Sequence, residues 1–169
     1  MTPLLTDRLI LRPFTVDDAP FILRLLNEPS FIENITDKGV RTLAQAADYL
    51  NQGPLASYAS HGHGLWLVQH RITGSPMGIC GLIRREGLPE IDLGYALVPE
   101  FWGLGYAREA AEACVAWGHD TLGLRGLLAI VSPGNASSIR LLEALGFQRK
   151  ETMTYAPGDE VEVFRLALG

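Results

Sequence analysis

The segment Leu97-Val98-Pro99-Glu100-Phe101-Trp102-Gly103-Leu104-Gly105-Tyr106-Ala107-Arg108 holds the residues whose types and spacing best suit ligand chemistry. Gly103 and Gly105 stand in alternate positions, which lets the backbone turn tightly and come close to a ligand. The glycines lie between a stretch that alternates like a strand and a longer one with helical periodicity. A helix start presents unpaired N–H groups backed by the helix dipole, so it suits an anion. Gly103, Leu104, Gly105, Tyr106 and Ala107 offer their backbone N–H groups there, and a diphosphate is the natural guest. A dinucleotide fingerprint would need a third glycine where Arg108 stands and an acid about 20 residues on, and a nucleotide-triphosphate loop would need Gly-Lys-Ser/Thr; neither is present. The plain alternative is a tight turn with no ligand.

A second polar cluster follows the apolar run Leu127–Val131. In Ser132-Pro133-Gly134-Asn135-Ala136-Ser137-Ser138, Asn135 sits where a helix begins. It either caps that helix or lends its amide to a ligand lying across the strand ends. Ser138, three residues later, shares its helix face. On the strand before the glycines, Glu90 and Asp92 fall two apart and so on one face, with Tyr95 on the other. Their ordinary role is as solvated carboxylates at a strand end. His61 and His63 form a His-x-His pair in a Gly-rich loop. A metal site would need further ligands, and none is suggested, so no metal is expected. The pair would instead line a pocket.

These groups need a frame, and the periodicities supply one. Leu9 to Arg12 reads as a strand ended by Pro13, and Thr15 as the N-cap of a helix through Phe21, Ile22, Leu25 and Leu26 that closes at Asn27-Glu28-Pro29. Phe31 to Arg41 shows no period and reads as loop. Thr42 opens a helical stretch with Leu43, Ala46, Ala47 and Leu50 on one face. Gly53-Pro54 interrupts it, and a short helical piece continues to about Ser60. Leu65–Val68 and Met77–Arg84 form a hairpin around Arg71–Ser75, and Glu90–Val98 follows as a strand. Gly105 to about Leu122 is a long helix whose apolar face is Ala107, Ala110, Ala111, Cys114, Val115 and Gly118. Gly126–Val131 is continuously apolar, like a strand buried on both faces. Ser137–Leu145 is a helix stopped by Gly146, and two strands near Gln148–Tyr155 and Val161–Leu168 flank Ala156-Pro157-Gly158-Asp159. The pattern predicts an α/β (α+β mixed) fold of about seven strands and about four helices, in one domain over residues 1–169.

Composition limits the function classes. With 47% hydrophobic and 20% charged residues the chain is globular. Its net charge of −5 gives no basic face for nucleic acid but tolerates a cationic substrate. No apolar run approaches the roughly 20 residues of a membrane span, and no signal-peptide pattern opens the chain. Cys80 and Cys114 lie in apolar segments and read as buried free thiols. A cytoplasmic location is expected.

Taken together, the motifs resemble the GNAT acetyltransferases. That family's phosphate loop reads R/Q-x-x-G-x-G/A. Trp102-Gly103-Leu104-Gly105-Tyr106-Ala107 matches it at Gly105 and Ala107, with Trp102 where Arg or Gln is usual. A later family motif is matched at Asn135, Ser138, Leu141 and Gly146-Phe147. The opening Thr6-Asp7-Arg8-Leu9-Ile10-Leu11-Arg12 resembles the branch of ribosomal-protein alanine and serine N-terminal acetyltransferases. The resemblance implies a mostly antiparallel sheet that splays open beside Ile91–Val98, with acetyl-CoA as co-substrate. The pantetheine arm would pair with backbone groups of Leu97 and Val98, and the pyrophosphate would take N–H groups from Gly103 to Arg108. Arg108 would add charge to a phosphate, unless it is simply a solvated arginine. Asn135 would touch the pantetheine or adenosine side.

For catalysis the resemblance implies an N-acetyltransferase in which a primary amine, of a protein N-terminus or a small molecule, attacks the thioester directly. Three tasks follow: taking a proton from the amine, stabilising the oxyanion and protonating the leaving thiolate. Asp92, where the family often has Glu, is the first candidate base, with Glu90 the second, either acting through a water. The Val98 N–H would serve the oxyanion, and Ser138 matches the thiolate's proton donor. Tyr106 reads as packing. The rival functions are a non-catalytic acyl-CoA-binding sensor or scaffold and, more weakly, a nucleotide-binding oxidoreductase. Monomer and homodimer both remain open.

Overall fold

The computed structural model describes residues 1–169. Its eight strands are β1 (Leu4–Leu5), β2 (Leu9–Pro13), β3 (Leu65–His70), β4 (Pro76–Ile83), β5 (Asp92–Leu97), β6 (Gly126–Val131), β7 (Gln148–Ala156) and β8 (Asp159–Ala167). They form one sheet in the order β1-β2-β3-β4-β5-β6-β8-β7. Every neighbouring pair is antiparallel except β5 and β6. A parallel pair needs a long crossover, and here that crossover is the helix α5 (Tyr106–Asp120). The expected sheet and its mostly antiparallel character are present, with one strand more than the periodicity indicates. Leu4–Leu5 is too short to alternate visibly.

Four helices precede or interrupt the hairpins: α1 (Ala19–Leu26), α2 (Pro29–Asn34), α3 (Leu43–Leu50) and α4 (Ala56–His61); α6 (Ala136–Ala144) follows β6. Thr15 and Thr42 both cap reciprocally, with Asp18 and Gln45 as the returning side chains. Two expectations need correction. Pro29 does not merely end α1. It is the first residue of α2, where its missing N–H costs nothing, and Phe31 is buried by that turn. Gly53-Pro54 does not break the second helical region either. The chain widens into a π-turn over Asn51–Leu55 and runs on into α4, and the wider turn accommodates the proline ring. Gly62, in the left-handed conformation at φ 73°, then stops it.

Strand alternation sorts the core into two layers. Trp66, Val68, Cys80, Leu82, Leu93 and Leu97 face α5 and α6, meeting Ala110, Ala111, Cys114 and Leu142. Leu67, Ile79 and Val98 face the other way, against Ile22, Leu25, Leu26, Phe31, Ala46 and Leu50. Cys80 and Cys114 are buried free thiols, as the apolar setting indicates. Trp66 is fully buried and meets Trp117 edge-on at 4.8 Å between ring centroids, yet its indole N–H has no acceptor. Trp66→Ala is therefore expected to cost about 3–5 kcal/mol in urea unfolding, as large core truncations do. Trp66→Phe should cost far less, because no hydrogen bond is lost. Equal costs would show that the cavity is not what matters.

Candidate functional site

The sheet opens where β5 leaves β6. Their only register pair is Asp92 with Leu128, and Leu128 N–H donates to Ile91 C=O at 3.0 Å. Beyond that point β5 stays paired with β4 through Leu97, and β6 stays paired with β8 through Val131. The two strands thus bound a wedge that is closed at Asp92 and open toward α5.

Which backbone groups face this wedge follows from the ladder. Val98 N–H donates to Met77 C=O at 2.9 Å, so it points to β4, away from the wedge. The register between β4 and β5 has no bulge, so peptide groups alternate sides. The N–H groups of Tyr95 and Leu97 therefore face the opening. The expectation for Val98 is corrected on this ground, because its donor is already engaged. The C=O of Leu97 accepts from Trp102 Nε1 at 2.8 Å. Trp102, where the motif usually has Arg or Gln, thereby ties the loop to the strand.

At the lip, a 3-10 turn over Pro99–Phe101 leads into the two glycines. Gly103 and Gly105 have φ of 74° and 82°, values that L side chains rarely adopt, and Gly105 is the N-cap of α5. The N–H groups from Gly103 to Arg108 have no acceptor within the protein. Gly103, Leu104 and Gly105 are exposed, and Leu104 is 54% exposed despite its apolar side chain. A row of free amides at the start of a 15-residue helix has the donors and the dipole to hold an anion. Tyr106 packs against Phe101 and His70, as a packing role requires. Arg108 is turned along the helix to Glu112 at 2.8 Å, rather than toward the loop.

At the closed end, Asp92 is fully buried, and Arg85 Nε reaches both of its oxygens at 3.1 Å. Burial pushes the Asp92 carboxyl up to about 6, against the pull of Arg85. Glu90 lies outside the strand, which begins only at Asp92, so the two carboxylates do not form the expected strand pair. Instead Glu90 binds Arg165 through contacts of 2.8 and 3.1 Å, and that guanidinium holds it below the ordinary carboxylate range. A carboxylate so paired is a weak base.

Across the wedge, Tyr95 Oη lies 2.6 Å from Ser138 Oγ on α6. Burial pushes the Tyr95 phenol up to about 12, so it stays protonated at neutral pH. Asn135 caps α6, its Oδ1 accepting from Ser138 N–H at 3.3 Å and Ser137 Oγ at 3.2 Å. This leaves its amide nitrogen free of protein partners. His63 is buried with Nδ1 2.7 Å from Leu82 C=O, and His61 stacks on it with centroids 5.8 Å apart. Sequence reasoning singles out neither Arg85 as the partner of Asp92 nor Tyr95 as the partner of Ser138. The second pairing joins residues 43 apart, for which no local periodicity exists.

Comparison with known proteins gives consistent matches. Residues 8–148 match the family described as an acetyltransferase (GNAT) domain. An N-acetyltransferase YoaA of Bacillus subtilis is 32% identical over 154 residues, covering 89% of this chain and 85% of its own. The crystal structure of an acetyltransferase from Agrobacterium tumefaciens superposes with a TM-score of 0.82 at 28% identity, covering 99% and 95% of the two chains. RimL, a ribosomal L7/L12 α-N-protein acetyltransferase solved with coenzyme A, shares the fold with a TM-score of 0.85 at 15% identity, over 99% and 98% of the chains.

Proposed function

The chain belongs to the GNAT acetyltransferase family, an acyltransferase family, and from that premise we propose that it moves acetyl from acetyl-CoA to a primary amine by direct attack in a ternary complex. The observation that carries this reading is the wedge between β5 and β6, with six unpaired N–H groups from Gly103 to Arg108 at its lip. The pyrophosphate would sit on those amides. The pantetheine would run into the wedge along the Tyr95 and Leu97 N–H groups, with the Asn135 amide beside it.

In the proposed reaction the neutral amine adds to the thioester carbon. The N–H groups that face the wedge are the donors available to the oxyanion. Asp92, through a water, takes the amine proton. Its raised pKa of about 6 makes it a better base than an ordinary carboxylate while leaving it mostly ionised at pH 7. The intermediate collapses with cleavage of the C–S bond. Ser138 protonates the thiolate, and Tyr95, 2.6 Å behind it, supplies the next hydroxyl. Ser138→Ala is expected to lower kcat by about tenfold, because Tyr95 remains close by, while Ser138→Ala with Tyr95→Phe should lose more than the two singles combined. Additive losses would separate the two hydroxyls.

Acceptor-dependent release of CoA thiol tests the whole reading. The panel is N-terminal Ala, Ser and Met peptides, polyamines, aminoglycosides and free amino acids. Release with one class establishes the activity and names the acceptor. Calorimetric binding of acetyl-CoA without release would favour a sensor or scaffold, and no binding at all would overturn the phosphate-loop placement.

A further inference from the structure

The residues before β2 reach the loop from the far end of the sequence. Glu109, in the first turn of α5, accepts from Thr6 Oγ1 at 2.5 Å, from Arg8 N–H at 2.9 Å and from Arg8 Nε at 2.7 Å. Arg8 Nη1 donates to Leu104 C=O at 2.9 Å, and the guanidinium carbon lies 4.3 Å from the centre of the Tyr106 ring. Arg71 fixes the backbone beneath, donating N–H to Arg8 C=O and Nη1 to Thr6 C=O, both at 2.8 Å. Arg8 is thus held on several sides before any ligand arrives.

One donor of that fork is left over. Arg8 Nη2 has no acceptor in the protein and stands beside Gly105, where a Cβ would lie 3.3 Å from it. The side chain is 42% exposed, so a ligand on the loop can reach it. Charge favours the same arrangement. Glu109 suits the helix dipole, but alone it would repel an anion on the loop amides. Its ion pair with Arg8 removes that repulsion, and the planar guanidinium keeps N–H groups free for phosphate oxygens. Arg108, the other cation nearby, is occupied by Glu112.

We propose that Arg8 is the side-chain cation of the pyrophosphate site, holding the glycine turn through Leu104 and Tyr106 and donating Nη2–H to a phosphate oxygen. The assignment rests on reading the loop as a pyrophosphate site. Its test compares acetyl-CoA with S-acetylpantetheine, which presents the same thioester without pyrophosphate or nucleotide. The readout is the ratio of kcat/KM for the two donors. In Arg8→Ala that ratio is expected to fall by about 10- to 100-fold, the range for losing a charged hydrogen bond. Arg8→Gln keeps the aliphatic stem and places an amide N–H where Nε meets Glu109, so it guards against loss of the fold, and it should show a smaller fall in the same direction. Proportional loss on both donors would mean a purely structural role and overturn the proposal. A high wild-type ratio that survives in both variants would overturn it while leaving the loop reading intact. A wild-type ratio near one would remove the loop reading and Arg8's role with it.

Discussion

Asp92→Asn is expected to lower kcat/KM by about 10²- to 10⁴-fold, the usual contribution of a positioned general base. The wild-type profile carries the more telling signal. With the Asp92 carboxyl pushed up to about 6, kcat/KM calculated on the concentration of neutral amine should rise tenfold per pH unit below that value and level off above it. In the asparagine variant this limb should vanish, leaving a low, flat rate. A variant that keeps the limb would assign it to another group. Stability supplies the control. The folded protein holds the Asp92 proton more tightly than the unfolded chain, whose carboxyl titrates near 3.8. Ionising it thus destabilises the fold as pH rises from about 3.8 to about 6, a cost on the order of 3 kcal/mol at neutral pH. Asp92→Asn removes that slope, because the amide does not titrate. Freed of that cost, the variant with its amide accepting from Arg85 should be at least as stable as the wild type at pH 7, and its lost activity would not reflect unfolding.

Gly105→Val should weaken acetyl-CoA binding by about 100-fold. At φ 82° a β-branched residue is a backbone outlier costing about 1–3 kcal/mol, and the loop can relieve the strain only by turning its amides. The added Cβ would also crowd Arg8 Nη2 at 3.3 Å. Gly158→Val makes a matched control, since Gly158 has φ 77° in the hairpin turn between β7 and β8 and open space around it. Both variants should lower the melting temperature by a similar few degrees. Calorimetry should then show loss of acetyl-CoA affinity only for Gly105→Val. Equal affinities would mean that the convergent amides do not hold the ligand.

The parts of the site that the sequence reveals are those governed by single residues or short periods. Gly103 and Gly105 announce a positive-φ turn because few other residues fit one. Ala110, Ala111 and Cys114 recur at helical spacing and mark the buried face of α5. Asn135 caps α6 as its residue type and place suggest. Local weakness explains the misses. Leu4–Leu5 is too short to show alternation, and Pro29, which ends one helix and starts the next, carries the same signal for both.

The chemistry at the two ends of the wedge was decided by tertiary structure. Arg8 meets Leu104 across 96 residues, and Tyr95 meets Ser138 across 43. Glu90 is drawn to Arg165 on β8, 75 residues away, and so cannot share the role its spacing from Asp92 suggests. The Val98 donor is lost to Met77 by the register of β4 against β5, which no feature of Val98 itself encodes. Backbone sterics and side-chain periodicity act between near neighbours, so a sequence displays them directly. Ion pairs, the direction of a strand's N–H groups and the burial that moves Asp92 to about 6 depend on which strand lies beside which, and only the packed sheet determines that.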